Sequence, residues 1–172
     1  AEVPIVAADA SDPVQATEAA RGAAAVYQAL NPAYDQWAEL FPPLQRAVME
    51  AARAAGARYV SIDNLYGYGA ITGTLTEQTP LKPNSKKGRL RAAMTREVLD
   101  AHARGDLRVA VLQSSDYYGP GVRLSQFGER TFKPMLAGKA ADLAGSADLP
   151  HSSAYIEDVG RAAAVLGTRE ET

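Results

Sequence analysis

Two short apolar runs that end alike constrain this chain more than any other feature. One runs from Arg58 through Tyr59, Val60, Ser61 and Ile62 to Asp63, Asn64 and a Tyr66–Gly67 turn. The other runs from Arg108 through Val109 and Leu112 to Asp116, Tyr117, Tyr118 and Gly119. Between them lies one long helical pattern, from about Ser85 to Arg104. Strand, helix and strand in that order make a parallel unit with a right-handed crossover. Both polar ends then share the carboxyl edge of one sheet, where open α/β sheets bind their ligands. A small-molecule or nucleotide site is expected there, with the two Tyr-Gly junctions as its floor.

The rest of the chain agrees with that unit. Its 172 residues suit one domain with a sizeable core. Val3 to Ala8 reads as a strand, with Pro4 placing it at a strand start or an edge. Asp12 and Pro13 cap and open a short helix to about Arg21. Ala23 to Leu30 reads as a buried strand, and residues 31–43, with three prolines and Trp37, as irregular. Leu44, Ala47, Val48, Ala51 and Ala52 have helical spacing, closed by Gly56. Further strands are expected over 58–62 and 107–112, joined by the helix that presents Leu90, Met94, Val98 and Ala101 on one face. Residues 63–84 read as a long loop, and loops of that size are usually functional or mobile. A helix is expected from about Ser125 to Leu136, and another from Glu157 with Val159, Ala162, Ala163 and Leu166 inward. Alternating strands and helices make a doubly wound α/β fold.

Composition narrows the function classes. A net charge of −2 gives no long-range attraction to nucleic acid or an anionic membrane. No apolar run approaches the roughly 18 residues a membrane helix needs. Without cysteine there is no disulfide, thiolate nucleophile or zinc-thiolate centre, which fits a cytoplasmic location. The two histidines, His102 and His151, lie too far apart to suggest a metal site. No signal peptide is visible at the start, which is Ala1 rather than Met.

Five segments, in order, carry a resemblance. They are Asp9 to Asp12, Tyr27 to Asn31, Tyr59 to Gly67, Asp116 to Gly121 and Tyr155 to Val159. Together they resemble successive strand ends of the extended short-chain dehydrogenase/reductases, in the NAD-dependent epimerase/dehydratase branch. The resemblance implies a single NAD(P)-binding Rossmann-like domain over 1–172, with residues 113–156 contributing a small substrate-binding region. It implies NAD or NADP as cofactor, held by Asp9, Ala10, Leu30, Asn31, Ile62, Asp63, Arg91 and Ser114. Asn64, Tyr117, Tyr118 and His151 fall on the substrate side.

The departures from that family pattern matter equally. The family's first two strands and its glycine-rich phosphate loop have no counterpart here. The resemblance therefore implies a fragment truncated at both ends, weak binding of NAD(P) or none by these residues alone, and an orphan first strand prone to homo-oligomerisation. The family's catalytic hydroxyl falls on Ile62, and its Tyr-x-x-x-Lys pair falls on Lys87 and Arg91. Arg91 can hold ribose hydroxyls, but Ile62 supplies no hydroxyl and Lys87 no phenol. The proton donor is then expected to be Tyr66, with Tyr68 as second choice and Lys87 as the competitor.

Each candidate also has a plain structural reading. Lys82, Lys86, Lys87, Arg89 and Arg91 make either a solvated basic face or an anion site, with Gly88 letting a ligand approach the backbone. Asp63, Asn64 and Tyr66 make either an Asx-turn with a packed aromatic or a cofactor-facing edge. Asp116 is either a turn cap or a general base, and His151 either structural or substrate-facing. Trp37 packs in the core or covers a pocket. Three functions stay open: an NAD(P)-dependent epimerase/dehydratase or oxidoreductase acting on a nucleotide-sugar or small carbonyl/alcohol, a non-catalytic dinucleotide-binding sensor or interaction protein, and a fold relic that binds nothing.

Overall fold

A computed structural model describes residues 3–146 and 148–169. Three parallel strands form the main sheet: β1 (Ala25–Gln28), β2 (Arg58–Asn64) and β3 (Val109–Ser114), adjacent in that order. Ala25 pairs with Arg58 and Tyr59 with Val109, so the carboxyl ends of β2 and β3 finish together at Asn64 and Ser114. The expected parallel order of these three segments is what the structure shows. Chain reversal between them is made by α2 (Trp37–Ala54) and α3 (Lys86–Ala103), after a short α1 (Pro13–Ala19).

Local chemistry explains the helix ends. The Asp12 carboxylate accepts from the backbone N–H groups of Val14 and Gln15, and Pro13 opens α1. The Ser85 hydroxyl caps α3 by accepting from Gly88 N at 2.9 Å. After α2 the chain turns at Gly56, with φ +64°, and Ala57 N reaches back to Ala52 O at 2.9 Å. That left-handed turn is open to glycine without steric cost. Both crossovers can therefore stop sharply and feed a strand.

Packing orders the layers. Tyr59 and Val109 pack with Val48 and Ala52 of α2 and with Val98 and Ala101 of α3 in one buried cluster. Alternation along β2 sends Arg58 to the opposite face, where its Nη1 donates to Leu166 O at 2.9 Å. Leu166 belongs to α5 (Ile156–Thr168), which covers that face. Val159, Ala162, Ala163 and Leu166 are among its half-buried positions, as the spacing predicts. The sheet thus carries helices on both faces, an α/β arrangement.

Beyond β3 the chain enters a second, two-stranded parallel sheet, β4 (Asp116–Tyr118) with β5 (Ser153–Tyr155), and α4 (Glu129–Leu136) lies between them in sequence. This small unit sits directly after the carboxyl end of β3.

Three expectations are corrected. Residues 3–8 form no strand, and Val3, Ile5 and Val6 are 81, 97 and 66% exposed. A strand needs a ladder partner for its backbone groups; among the described residues none pairs with this segment, and Pro4 lacks a donor. Residues 37–43 are not irregular: α2 begins at Trp37 and runs through Pro42 and Pro43. Burial of Trp37 and Phe41, one turn apart, against Met94 outweighs the lost backbone bonds. Finally, α4 begins at Glu129 rather than Ser125, because Gly128 is extended. Among the described residues no helix is long and apolar enough to cross a membrane.

Candidate active site

At the carboxyl edge of β1 and β2 the structure encloses a cavity of about 150 Å³. The chain leaving β1 supplies Ala29, Leu30 and Asn31 to its wall, and the end of β2 supplies Ile62, Asp63 and Asn64. The first turns of α2 add Trp37 and Phe41, α3 adds Arg91, and β4 adds Tyr117. Of the residues expected to hold cofactor or substrate, Leu30, Asn31, Ile62, Asp63, Asn64, Arg91 and Tyr117 therefore meet around one space.

Its centre is a buried ion pair. Asp63 and Arg91 are each 5% exposed. Arg91 Nε donates to Asp63 Oδ1 at 2.9 Å, and its Nη2 donates to the same oxygen. The Thr95 hydroxyl, one helical turn after Arg91, donates to Asp63 Oδ2 at 2.6 Å. Asn64 N donates to Oδ1 at 2.7 Å. The carboxylate is thus saturated by four donors, while Arg91 Nη1 is buried with no hydrogen-bond partner. The guanidinium also lies 4.3 Å from the centre of the Phe41 ring and 5.6 Å from that of Trp37. An arginine held this way leaves Nη1 buried at the edge of the ion pair without an acceptor.

Asn64 serves the turn as well as the wall. Its Oδ1 accepts from Tyr66 N at 3.0 Å, an Asx-turn that ends β2. Alternation along β4 divides the two tyrosines. Tyr117 faces the cavity, and Tyr118 packs against Tyr155 with ring centres 5.4 Å apart. Burial raises the Tyr117 phenol above its ordinary pKa, while a hydrogen bond with Ser114 pulls it down; Asp63 raises it further and the Arg91 charge lowers it. Ser114 stands just behind, buried at the end of β3.

The remaining candidates lie outside the wall of this cavity. Tyr68 is buried in a single 3-10 turn, and its hydroxyl donates to Gln113 Oε1 at 2.5 Å. Burial is the main cause that raises its pKa. Tyr66 is 42% exposed, with its ring 6.0 Å from Trp37. Partial burial, the neighbouring Tyr34 and the Asp116 charge push its phenol up to about 12. Lys87 Nζ donates to the carbonyl of Tyr34 and lies 3.6 Å from that ring's centre. Lys82, Lys86 and Arg89 are exposed. Gly88 faces the backbone of Tyr66: a Cβ there would meet Tyr66 O at 2.5 Å, so protein, not ligand, makes the close approach.

His151 Nε2 meets Asp116 Oδ2 at 2.8 Å, and its ring packs edge-on to Phe127. Asp9 and Ala10 lie in the turn before α1, where the Asp9 carboxylate accepts from Ser11 N and Ser11 Oγ. Those two bonds, side chain first, lower its pKa. Among the described residues no group of three or more His, Asp or Glu side chains gathers for a metal.

Thr95 and Phe41 are functional neighbours that sequence reasoning missed. Thr95 follows Arg91 by four residues on the buried face of α3, and that spacing was the available signal. Phe41 was hidden by the prolines that follow it.

Comparison with known proteins agrees with this architecture. The model of the NAD dependent epimerase/dehydratase family matches residues 17–172. A dTDP-glucose 4,6-dehydratase, DesIV from Streptomyces venezuelae with NAD and TYD bound, superposes with a TM-score of 0.73 at 22% identity, over 92% of this chain and 53% of its own. MoeE5 in complex with UDP-glucose and NAD gives 0.74 at 23%, over 96% and 59%. The UDP-glucose 4-epimerase from Brucella ovis in complex with NAD gives 0.74 at 15%, over 94% and 58%. At these identities the likeness carries the fold, and the chain spans little more than half the length of each structure. No protein of curated function matches the sequence.

Proposed function

This chain belongs to the NAD dependent epimerase/dehydratase family, and from that premise we propose that its cavity receives the nicotinamide riboside end of NAD or NADP in an enzyme acting on a nucleotide-sugar. The observation that carries the reading is the unpartnered Nη1 of Arg91, buried beside a saturated Asp63. A buried donor without a partner costs about 1–3 kcal/mol, more when charged. A hydroxyl-rich ring in the cavity would supply the missing acceptor. The ion pair is locally neutral, which suits a neutral polyol such as ribose better than a phosphate.

The other residues fit the same group. Leu30 and Asn31 offer backbone and amide groups along one side, Ile62 a flat apolar wall, and Ser114 support from behind. Asp9 and Ala10 are proposed for the adenine end. When bound, the dinucleotide accepts or returns a hydride, the chemistry by which sugar alcohols and ketones interconvert. This chain's residues orient it: Arg91 holds a hydroxyl, while Trp37 and Phe41 exclude water. Asn64 and the Asp116–His151 pair are proposed for the sugar, beyond the carboxyl ends of β2 and β3. The family match supports this reading over a dinucleotide-binding protein without chemistry.

The test uses the chain's only tryptophan, Trp37, which lines the cavity. Titration with NAD+ and with NADP+ into the millimolar range is expected to change its fluorescence saturably. Replacing the ion pair together, Asp63→Asn with Arg91→Met, removes the donor without stranding a charge. A hydrogen bond to a charged group contributes about 1.5–3 kcal/mol, so affinity should fall by about 10–150-fold. Absence of any saturable change with either nucleotide refutes the reading.

A further inference from the structure

We propose that Tyr117 is the catalytic acid and base of this site, exchanging the proton of the substrate oxygen from within the cavity wall. The inference rests on the cofactor reading above and adds to it the residue that completes the chemistry. It follows by elimination among the groups that line the cavity. Only Asp63, Arg91 and Tyr117 there are titratable. Arginine does not release its proton in proteins. Asp63 already accepts two bonds from Arg91 and one each from Thr95 and the backbone of Asn64, so its carboxylate is committed to the ion pair. Tyr117 is the one phenol among the residues of the wall.

The other candidates are held elsewhere. The Tyr68 hydroxyl is spent on Gln113, the Tyr66 ring lies along Trp37 outside the wall, and Lys87 is seated on Tyr34. Strand geometry explains why Tyr117 points inward. β4 is pinned to β5 with Tyr117 opposite Ala154, and Tyr118 is packed on Tyr155, so alternation leaves Tyr117 on the cavity side. Ser114 and Arg91 then act as positioning groups. A hydroxyl donated by Ser114 and the fixed positive charge of Arg91 both favour the phenolate, against the burial that favours the neutral phenol.

The step balances as follows. In the oxidising direction the substrate C–H bond breaks and its electron pair leaves with hydrogen as hydride to a nicotinamide dinucleotide. The adjacent O–H bond breaks and its proton passes to the Tyr117 phenolate oxygen, leaving a C=O bond. In the reducing direction hydride returns to carbon and the neutral phenol gives its proton to oxygen. The phenol is neutral near neutral pH, as the reducing direction needs, and its raised pKa makes the oxidising direction depend on the positive charge of Arg91 and of the bound nucleotide.

The experiment has a readout independent of turnover. Tyrosinate absorbance is followed against pH for the 172-residue chain and for Tyr117→Phe, and their difference isolates Tyr117. Saturating NAD+ is expected to move that difference curve to lower pH, because the positive nicotinamide ring favours the phenolate. In single-turnover hydride transfer with UDP-glucose, UDP-glucuronic acid and dTDP-glucose, Tyr117→Phe should slow the rate about 10²–10⁴-fold with nucleotide affinity unchanged. Tyr66→Phe and Lys87→Met carry the competing assignments, and a loss confined to either overturns the proposal. A Trp37 response to NAD+ with an unmoved Tyr117 curve overturns it while leaving the cofactor reading intact. No Trp37 response to NAD+ or NADP+ removes both. Should Tyr117→Phe fail to fold, Ser114→Ala leaves the phenol in place and should raise its ionisation pH in the wild-type background; an unchanged curve counts against the proposal.

Discussion

The Asp63–Arg91 pair sets the sharpest stability expectation. Asp63→Asn keeps the shape of the side chain and removes its charge. The Arg91 side chain, 6% exposed, would then carry a buried positive charge facing a neutral amide. Its contact with the Phe41 ring at 4.3 Å is present in both proteins and cancels. Breaking a buried pair by removing one partner costs about 3–5 kcal/mol. Thr95 loses little, because its hydroxyl also reaches Arg91 O at 2.9 Å. For a chain of this length such a loss lowers the melting temperature by about 6–20 °C, a large part of a typical stability of about 5–15 kcal/mol. Equilibrium urea unfolding followed by Trp37 emission measures it, with the slope unchanged if the native state keeps its compactness. The double variant Asp63→Asn with Arg91→Met should be more stable than Asp63→Asn alone, since it strands no charge. A single-variant cost below about 1 kcal/mol would mean that the pair behaves as a solvent-screened one. Costs that simply add in the double variant would mean that the residues do not act as a unit.

Two further outcomes follow from the same region. Gly88→Ala would push a methyl against the Tyr66 carbonyl of the 3-10 turn at 2.5 Å and the Ser85 cap of α3 at 3.0 Å. It is expected to cost about 1–3 kcal/mol in thermal or urea unfolding and to weaken the Trp37 response to NAD+; a fully stable variant would refute the close packing. Alkaline titration should destabilise the fold. The Tyr66 phenol is raised from 10.0 to about 12, so the folded state favours its protonated form. The associated stability is complete below pH 10 and is lost as pH rises towards 12, with Tyr117 and Tyr68 shifted in the same direction. Tyr66→Phe should flatten part of this loss, and an identical pH dependence in the variant would contradict it.

The sequence alone determined the parallel order of the three central strands, the helices between them and the edge on which a site must lie. These follow from local signals: β-rich apolar runs, helical spacing, a capping Asp12 and the closing Gly56. It also singled out seven of the residues that line the cavity, because residues at strand ends are placed by the strands themselves. What it did not determine was everything that depends on a partner distant in the chain. Val3 to Ala8 has the composition of a strand, yet a strand exists only beside another, and no described segment lies there. Pro42 and Pro43 read as breakers, yet burial of Trp37 and Phe41 against α3 carries the helix through them. Most of all, the chemistry of the site is tertiary. Residues 63 and 91 are joined across the crossover, Thr95 and the Asn64 backbone complete the carboxylate, and only then is Arg91 Nη1 left over. The same packing turns Tyr68 to Gln113 and Lys87 to Tyr34, and leaves Tyr117 as the phenol in the wall. Hydrogen-bond saturation is a property of a neighbourhood, and the neighbourhood exists only once β2, α3 and β4 have met.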